Sequence, residues 1–365
     1  MKADNDTLFT PGEYIQDELD ARGWTQESFA DILGRPLRTI NQILNGKTTI
    51  TPQTAQEIAA ALGTSPELWL NLESAYRLTL EHKEQKDVSR RAKLYEDLPI
   101  REMMNRRWIK KCNDVDELEK EIKNYSAVTL AAAARNSTPS IIPEQRAWLY
   151  RAWHLARSMI NVHSFNRDKA VKHLDDLHAL TVDENELRHV PEVLSDMGIR
   201  FLLIENLPRA KIDGATLWLD DNMPVIVLSL RYDRIDGFWH TLCHELSHVL
   251  HGDSFSLDNN MIGPNKIGSE DISEQEQRAD EEASNFLISK DTLESFIIRH
   301  NPRFSKINII RFANVHQIHP GIVVGQLQHR EAIKYSHSRE MLVSVKKHLM
   351  DTATVDGWGC YPEIV

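Results

Sequence analysis

The stretch Thr241-Leu-Cys-His-Glu-Leu-Ser-His-Val-Leu-His251 is the most informative part of this 365-residue chain. It contains the spacing H-E-x-x-H within an apolar pattern that predicts a helix from about Phe238 to His251. Residues four apart lie one turn apart on the same helix face, so His244 and His248 can bind one metal ion together. Glu245 then lies beside the ion and can accept a proton from water. The segment therefore predicts a catalytic metal centre.

A third ligand is expected, because a catalytic zinc ion takes three protein ligands and keeps a position for water. A second helix, predicted from about Ser273 to Ile288, is rich in acids. Glu276 and Asp280 share one face of it. We assign Glu276 to the metal and Asp280 to the ring N–H of a ligand histidine. Because dense acids also form solvated helix faces, spacing leaves three alternatives open: Glu274, Glu281 and Glu282.

Three neighbours of the motif carry groups that can also bind metal. His240 lies one turn before His244, and His251 follows three residues after His248. The H-E-x-x-H arrangement uses neither, so we leave both outside the ligand set. Cys243 is rotated by about 100° from the face of His244 and is expected to be a small packed residue.

The chain before this helix changes character near Pro191. Between about Leu80 and Leu187 it is helical and carries no catalytic pattern, which predicts a linker or platform. Strands are then predicted over three segments: Gly198–Ile204, Gly214–Leu219 and Pro224–Leu230. The C-terminal half is therefore α+β, with a small sheet followed by the helices of the candidate site.

The N-terminal part is predicted to be a compact all-α domain of five short helices between about Pro11 and Leu78. A helix after Thr25, a turn at Gly34 and a short helix ending in Asn-Gly-Lys47 match a helix-turn-helix, with Leu37 to Leu44 as the recognition helix. Residues expected to face the bases are Leu37, Arg38, Thr39, Asn41 and Gln42. Residues expected to contact phosphates are Gln26, Asn45 and Lys47.

Composition and charge limit the class of protein. The net charge of -11 is unfavourable for a nucleic-acid binder, and the acidic first helices leave open a module that binds protein only. Basic residues, however, are concentrated between Lys83 and Lys111, a segment suited either to phosphate contacts or to a solvated linker helix. Three cysteines, far apart and odd in number, suit a reducing cytoplasm. No apolar run is long enough for a membrane span, and the polar N-terminus does not resemble a secretory signal, so we expect a cytoplasmic protein.

The C-terminal and the N-terminal motifs each resemble a different known family. The segment His244-Glu-Leu-Ser-His-Val-Leu-His-Gly252, followed by Glu276-x-x-Ala-Asp-x-x-Ala-x-x-Phe-Leu-Ile288, resembles the ImmA/IrrE metallopeptidases. The resemblance extends roughly over Gly198 to Tyr335 and implies a zincin-like fold, a zinc ion (manganese as the alternative) and Glu276 as a ligand. Three positions depart from the family pattern without touching a ligand: Ser247 for Gly, Glu282 for Phe and Ser289 for Pro. Glu282 therefore needs solvent or a partner.

The N-terminal motifs resemble the HigA-type antitoxins of the phage-repressor-like class. The matching segments are Pro11-Gly-Glu13, Asn45-Gly-Lys47, Ile50-Thr-Pro52, Ala61-Leu-Gly-Thr-Ser-Pro66 and Trp69-Leu-Asn-Leu72. This resemblance covers about residues 10–80 and implies a homodimer on a palindromic double-stranded DNA operator. The combined expectation is a multidomain protein with a helix-turn-helix domain (8–80), a helical linker or platform (81–190) and an α+β zincin-like domain (191–365).

Two functions follow from this organisation. The first is a DNA-binding regulator whose zinc-dependent endopeptidase cleaves a repressor or a toxin–antitoxin partner, with Glu245 as the base. The second is an antitoxin or autorepressor whose zincin-like half is a non-proteolytic sensor or a toxin-binding module. A third possibility, close to the second, is an antitoxin that binds a toxin and whose proteolysis is incidental. The intact Glu245 favours the first, because a structural metal site needs no base.

Overall fold

The computed structural model describes residues 10–80, 82–127, 141–160, 163–253, 256–259 and 274–362. The chain divides into two compact units, Met1–Lys93 and Leu94–Val365. Among the described residues, no helix combines the length and apolar character needed to cross a bilayer.

The N-terminal unit contains five short helices: α1 (Pro11–Arg22), α2 (Gln26–Leu33), α3 (Leu37–Leu44), α4 (Pro52–Leu62) and α5 (Pro66–Leu80). Threonine side chains accept backbone N–H groups at the starts of three of them, through Thr10, Thr25 and Thr51. Such caps satisfy donors that have no partner within the helix. The predicted all-α domain is confirmed as a helical N-terminal unit.

The helices of this unit enclose one core. Its largest fully buried side chains include Ile15, Phe29, Ile40 and Trp69. Helix α1 packs closely on the end of α3, since a Cβ at Gly12 would lie 1.9 Å from the carbonyl oxygen of Leu44. Only glycine fits this contact, which fixes α1 against the predicted recognition helix.

Helix α6 (His82–Asp97) contains the boundary between the units, and the remaining helices belong to the C-terminal unit. They are α7 (Ile100–Asn105), α8 (Val115–Ser126), α9 (Pro143–Ser158), α10 (Arg167–Lys172), α11 (Leu174–Ala179), α12 (Val190–Asp196), α13 (Ile235–His251), α14 (Glu274–Leu287), α15 (Lys290–His300), α16 (Lys306–Val315), α17 (Pro320–His329) and α18 (Lys346–Leu349). Short 3-10 turns span Leu180–Val182, Glu184–His189 and Arg339–Met341.

A mixed sheet lies at the centre of the C-terminal unit. Its strands are β1 (Arg200–Ile204), β2 (Ile212–Trp218), β3 (Pro224–Leu228), β4 (Ser256–Asn259) and β5 (Thr354–Asp356), in the order β4-β2-β3-β1-β5. Strand β1 runs parallel to β3 and β5, and β2 runs antiparallel to β3 and β4. The three strands predicted from sequence are present, each within two residues of its predicted ends.

Both faces of this sheet are buried. Phe201 and Leu203 face a core shared with α13, whereas Leu202 and Ile204 face a second core shared with α7, α8 and α9. On the second side, the fully buried Trp148 donates its indole N–H to the carbonyl oxygen of Ile204 at 3.1 Å. Helices therefore cover the sheet from two sides.

This packing differs from the predicted domain boundaries at 80/81 and 190/191. Residues from Leu98 to Ala156, expected in a separate linker or platform, form one core with β1, β2 and β3. The physical reason is that apolar side chains alternate onto both faces of a strand, so a sheet of wholly buried strands needs cover on both sides. The helical region after Lys93 is thus part of the sheet-containing unit. Of the predicted ranges, residues 8, 9, 81, 128–140, 161, 162, 254, 255, 260–273 and 363–365 lie outside the described residues.

Candidate functional site

Three side chains from two helices converge in the C-terminal unit. His244 and His248 lie on α13, and Glu276 lies in the first turn of α14. The two Nε2 atoms are 3.1 Å apart, His244 Nε2 is 3.1 Å from Glu276 Oε2, and His248 Nε2 is 3.6 Å from Glu276 Oε1. Among the described residues, this is the group of three whose ligand atoms all lie within 4.8 Å of one another.

Each of these histidines is oriented by a carboxylate. Nδ1 of His244 lies 3.1 Å from Asp280 Oδ1, and Nδ1 of His248 lies 2.8 Å from Asp253 Oδ2. A carboxylate can only accept, so each ring donates its Nδ1 hydrogen, and a neutral ring then turns its Nε2 lone pair toward the other histidine. Arg278 on α14 donates to Asp253 and holds it in place.

The donor set fits a zinc ion. Bonds of about 2.0–2.2 Å at tetrahedral angles separate neighbouring ligand atoms by roughly 3.3 Å, and the observed separations are 3.1 to 3.6 Å. Two imidazole nitrogens and one carboxylate oxygen are also ligands that zinc prefers. The lone pairs of His244 Nε2, His248 Nε2 and the Glu276 carboxylate repel one another at these distances unless a cation or a proton lies between them. The residues therefore fit a bound metal ion.

The charge state of Glu276 agrees with this fit. Burial is the largest single effect and raises the pKa of this carboxyl, but the hydrogen bonds and charges of His244 and His248 together outweigh it when those rings carry a proton on Nε2. The resulting pKa of Glu276 lies well below the usual range of a carboxyl group, so its side chain is ionised in the presence of the two histidines.

Glu245 points from α13 toward the sheet. It is fully buried, and its Oε2 accepts hydrogen bonds from Thr216 Oγ1 and Ser256 Oγ, each at 2.8 Å. A Cβ at Gly214 on β2 would lie 2.6 Å from Glu245 Oε1, so the absence of a side chain there makes room for the carboxylate. The predicted base is thus held at the contact between helix and sheet.

The alternatives raised by the sequence lie elsewhere. Glu274 and Glu281 are exposed, and Glu282 accepts from Ser247 Oγ at 2.6 Å and lies 2.9 Å from His251 Nε2. The serine and glutamate that depart from the ImmA/IrrE pattern therefore contact each other, which supplies the partner that Glu282 needs.

The other two neighbours of the motif, His240 and Cys243, also have defined surroundings in the structure. His240 stacks on His244 with ring centroids 6.5 Å apart and lines a small cavity of about 50 Å³ together with His329 and Tyr335. Cys243 is buried, and burial raises the pKa of its thiol, so it is a protonated packing residue.

The predicted DNA-contacting residues lie on and around α3. Ile40 and Ile43 are buried, whereas Leu37 and Arg38 are exposed, and Thr39, Asn41 and Gln42 are partly exposed. Lys47 is exposed, the Asn45 side chain donates to the carbonyl oxygen of Asn41 at 2.6 Å, and the Gln26 side chain donates to Gln16 at 2.9 Å. All eight predicted residues keep some exposed surface, and their contacts with DNA stay predictions.

Comparison with known proteins finds relatives of the N-terminal unit. A family model described as helix-turn-helix matches residues 15–69. The uncharacterized HTH-type transcriptional regulator YddM of Escherichia coli is 36% identical over 84 residues, which are 23% of this chain and 88% of that protein. Antitoxin HigA-1 of Vibrio cholerae is 37% identical over 68 residues, 18% of this chain and 64% of that protein. A solved structure, an addiction module antidote protein of a HigA family from Coxiella burnetii, is 35% identical over 22% of this chain and 87% of its own, with a TM-score of 0.21.

The family model and the two sequence relatives, together with the capped helices, define a helix-turn-helix domain of the DNA-binding class in the N-terminal unit. Through this domain the chain belongs to the family of helix-turn-helix transcriptional regulators that includes YddM and is related to the HigA antitoxins.

Sequence reasoning missed three residues around the candidate metal centre. Asp253 follows Gly252 directly after α13 and lies five residues past His248, so an acid just beyond the helix end was a usable signal. Thr216 and Ser256 carried no such signal, because only strand pairing brings them to Glu245.

Proposed function

We propose that this chain is a DNA-binding regulator whose C-terminal unit is a metal-dependent endopeptidase of the ImmA/IrrE type. The observation that carries the proposal is the convergence of His244, His248 and Glu276, with Glu245 on the same helix as the two histidines. A structural zinc site is closed by four protein ligands, whereas three ligands leave a position for water.

The proposed mechanism gives each residue one task. His244, His248 and Glu276 hold the ion, and Asp280 and Asp253 fix the two rings. When bound, zinc supplies Lewis-acid polarisation of the scissile carbonyl and makes water more acidic. Glu245 accepts the proton of the attacking water and then donates it to the departing amine nitrogen. Two imidazole ligands favour zinc over manganese.

The proposed substrate is a protein, either a helix-turn-helix repressor or a toxin–antitoxin partner. This follows from the N-terminal domain, which is related to regulators and antitoxins. A homodimer on a palindromic operator would bring the peptidase unit to the promoter that such a partner controls.

A second candidate function is a HigA-like antitoxin whose C-terminal unit senses metal or binds a toxin without proteolysis. The specific observation in its favour is the 37% identity to an antitoxin over 68 residues. The same metal ligands would then act structurally, and Glu245 would serve to join helix and sheet.

Zinc-dependent cleavage separates the two candidates. The purified full chain, loaded with zinc, is incubated with the repressors and small toxin-like proteins encoded beside its gene, and products are followed by mass spectrometry. We expect cleavage of at least one partner with zinc, none after chelation, and recovery when zinc is added back. Intact partners at every metal state, with zinc demonstrably bound, would favour the antitoxin.

The DNA-binding half has its own test at Arg38. We expect Arg38→Ala to weaken binding to the operator by about 1–3 kcal/mol, because an exposed arginine on a recognition helix can pair with guanine. The matched variant Lys47→Ala should weaken binding equally for operator and scrambled duplex and lower the salt dependence, as for a phosphate contact. Fluorescence anisotropy at several salt concentrations measures both. Equal losses on both duplexes for Arg38→Ala would contradict base reading.

A further inference from the structure

Two hydroxyl groups from neighbouring strands meet at one oxygen of Glu245. Thr216 on β2 and Ser256 on β4 each place a hydroxyl oxygen 2.8 Å from Glu245 Oε2. Thr216 and Glu245 are 0% exposed and Ser256 is 4% exposed, so water does not compete for these contacts. Hydrogen bonds to an ionised acceptor in such surroundings are short and strong, and they restrict where the carboxylate can move.

The direction of the hydrogen bond from Ser256 is fixed by the backbone. Its Oγ accepts the N–H of Thr216 at 3.3 Å, so its single hydrogen is directed at Glu245. The Thr216 hydroxyl has one hydrogen and also lies 3.1 Å from the main-chain oxygen of Glu245, but its contact with Oε2 is the shorter of the two, at 2.8 Å.

The two donors come together only through the register of the edge strand. Thr216 and Ser256 are direct partners in the antiparallel pairing of β2 with β4. A shift of β4 by one residue would turn Ser256 to the opposite face of the sheet and remove its hydroxyl from Glu245. The position of the carboxylate therefore depends on how the edge strand is docked.

We propose that Thr216 and Ser256 are positioning residues that hold Glu245 in the orientation a general base requires, so that the docking of β4 controls catalytic competence. This inference rests on the proposed peptidase function and deepens it. A base acts only within hydrogen-bond reach of the proton it takes, and a displacement of about 1 Å can cost about a hundredfold in rate. The three side chains that converge as candidate metal ligands do not include Thr216 or Ser256, so we expect zinc affinity to stay unchanged when either hydroxyl is removed.

The test compares hydroxyl removal with hydroxyl retention in the zinc-loaded full chain. We expect Thr216→Val and Ser256→Ala each to lower kcat about tenfold, as for loss of one hydrogen bond to a charged group, with KM and zinc affinity unchanged. Thr216→Ser, which keeps the hydroxyl, should restore kcat. The matched control is Ser229→Ala, which removes a buried hydroxyl bonded to the Ile212 carbonyl, away from Glu245, and should leave kcat unchanged.

A second measurement keeps the inference testable if a variant fails to fold. In Glu245→Ala, hydrogen exchange of the Thr216 amide should become about tenfold faster than in wild type, because Ser256 loses its acceptor. Wild-type kcat in Thr216→Val and Ser256→Ala, or unchanged exchange in Glu245→Ala, would overturn the positioning role. Absence of zinc-dependent cleavage by the zinc-loaded wild-type chain would instead overturn the peptidase function itself, so the two failures are distinguishable.

Discussion

Replacing Glu245 with glutamine is expected to lower the rate of peptide cleavage by about 10²–10⁴-fold and to leave the zinc content unchanged. The carboxylate is the proposed proton acceptor, whereas the amide keeps its volume and an oxygen that can still accept from Thr216 and Ser256. The fold should therefore survive while the base is lost. Single-turnover cleavage and metal analysis of the same preparation measure the two quantities together.

The matched control for this substitution is Glu144→Gln. Glu144 is also a buried carboxylate, 5% exposed, but it lies at the start of α9, pairs with Arg209 and does not belong to the group of candidate metal ligands. It should leave cleavage unchanged apart from any loss of stability. A Glu245→Gln protein that cleaves at the wild-type rate would remove the general-base assignment, and one that loses its zinc would indicate that Glu245 acts on the metal.

Replacing Glu276 with glutamine should lower zinc affinity by more than the about 10–100-fold that is typical of losing a partner of a metal ligand. The substitution replaces the one anionic ligand with a neutral amide, so two histidines remain to hold a divalent cation. Calorimetric titration at fixed pH, or competition with a chelating dye, gives the affinity. Asp253→Asn and Asp280→Asn should cost about 10–100-fold, because each carboxylate acts through a histidine ring.

Glu281→Gln serves as the control for Glu276→Gln, since it removes an exposed acid from the same helix. Zinc affinity should stay at the wild-type value. If Glu276→Gln binds zinc as tightly as wild type while a substitution of Glu274, Glu281 or Glu282 does not, then the third ligand has been assigned to the wrong acid.

Local patterns in the sequence determined most of the elements. Helix-start residues such as Thr25 and the apolar spacing located the five N-terminal helices, and the apolar positions of α3 include Ile40 and Ile43, which are buried in the structure. The spacing of His244 and His248 predicted their convergence, because a helix fixes the relative positions of residues four apart.

The two-sided burial of the sheet has a counterpart in the sequence of its strands. The segments Arg200–Ile204 and Pro224–Leu228 are apolar at almost every position, a pattern typical of strands covered on both faces. Treating residues 81–190 as a separate platform overlooked the second core, in which Trp148 and its neighbours cover the far face of the sheet.

Only the tertiary structure brought together groups from different elements. It selected Glu276 among the acids of α14, placed Asp253 on His248, and joined Thr216 and Ser256 to Glu245. The physical reason is that a repeating backbone fixes which residues share a face within one helix or strand, whereas the pairing of two elements depends on packing over the whole unit. The sequence by itself therefore determined the helix-turn-helix and the pair of histidines that we propose as metal ligands, and the packing of α13 against α14 and the sheet decided what surrounds that pair.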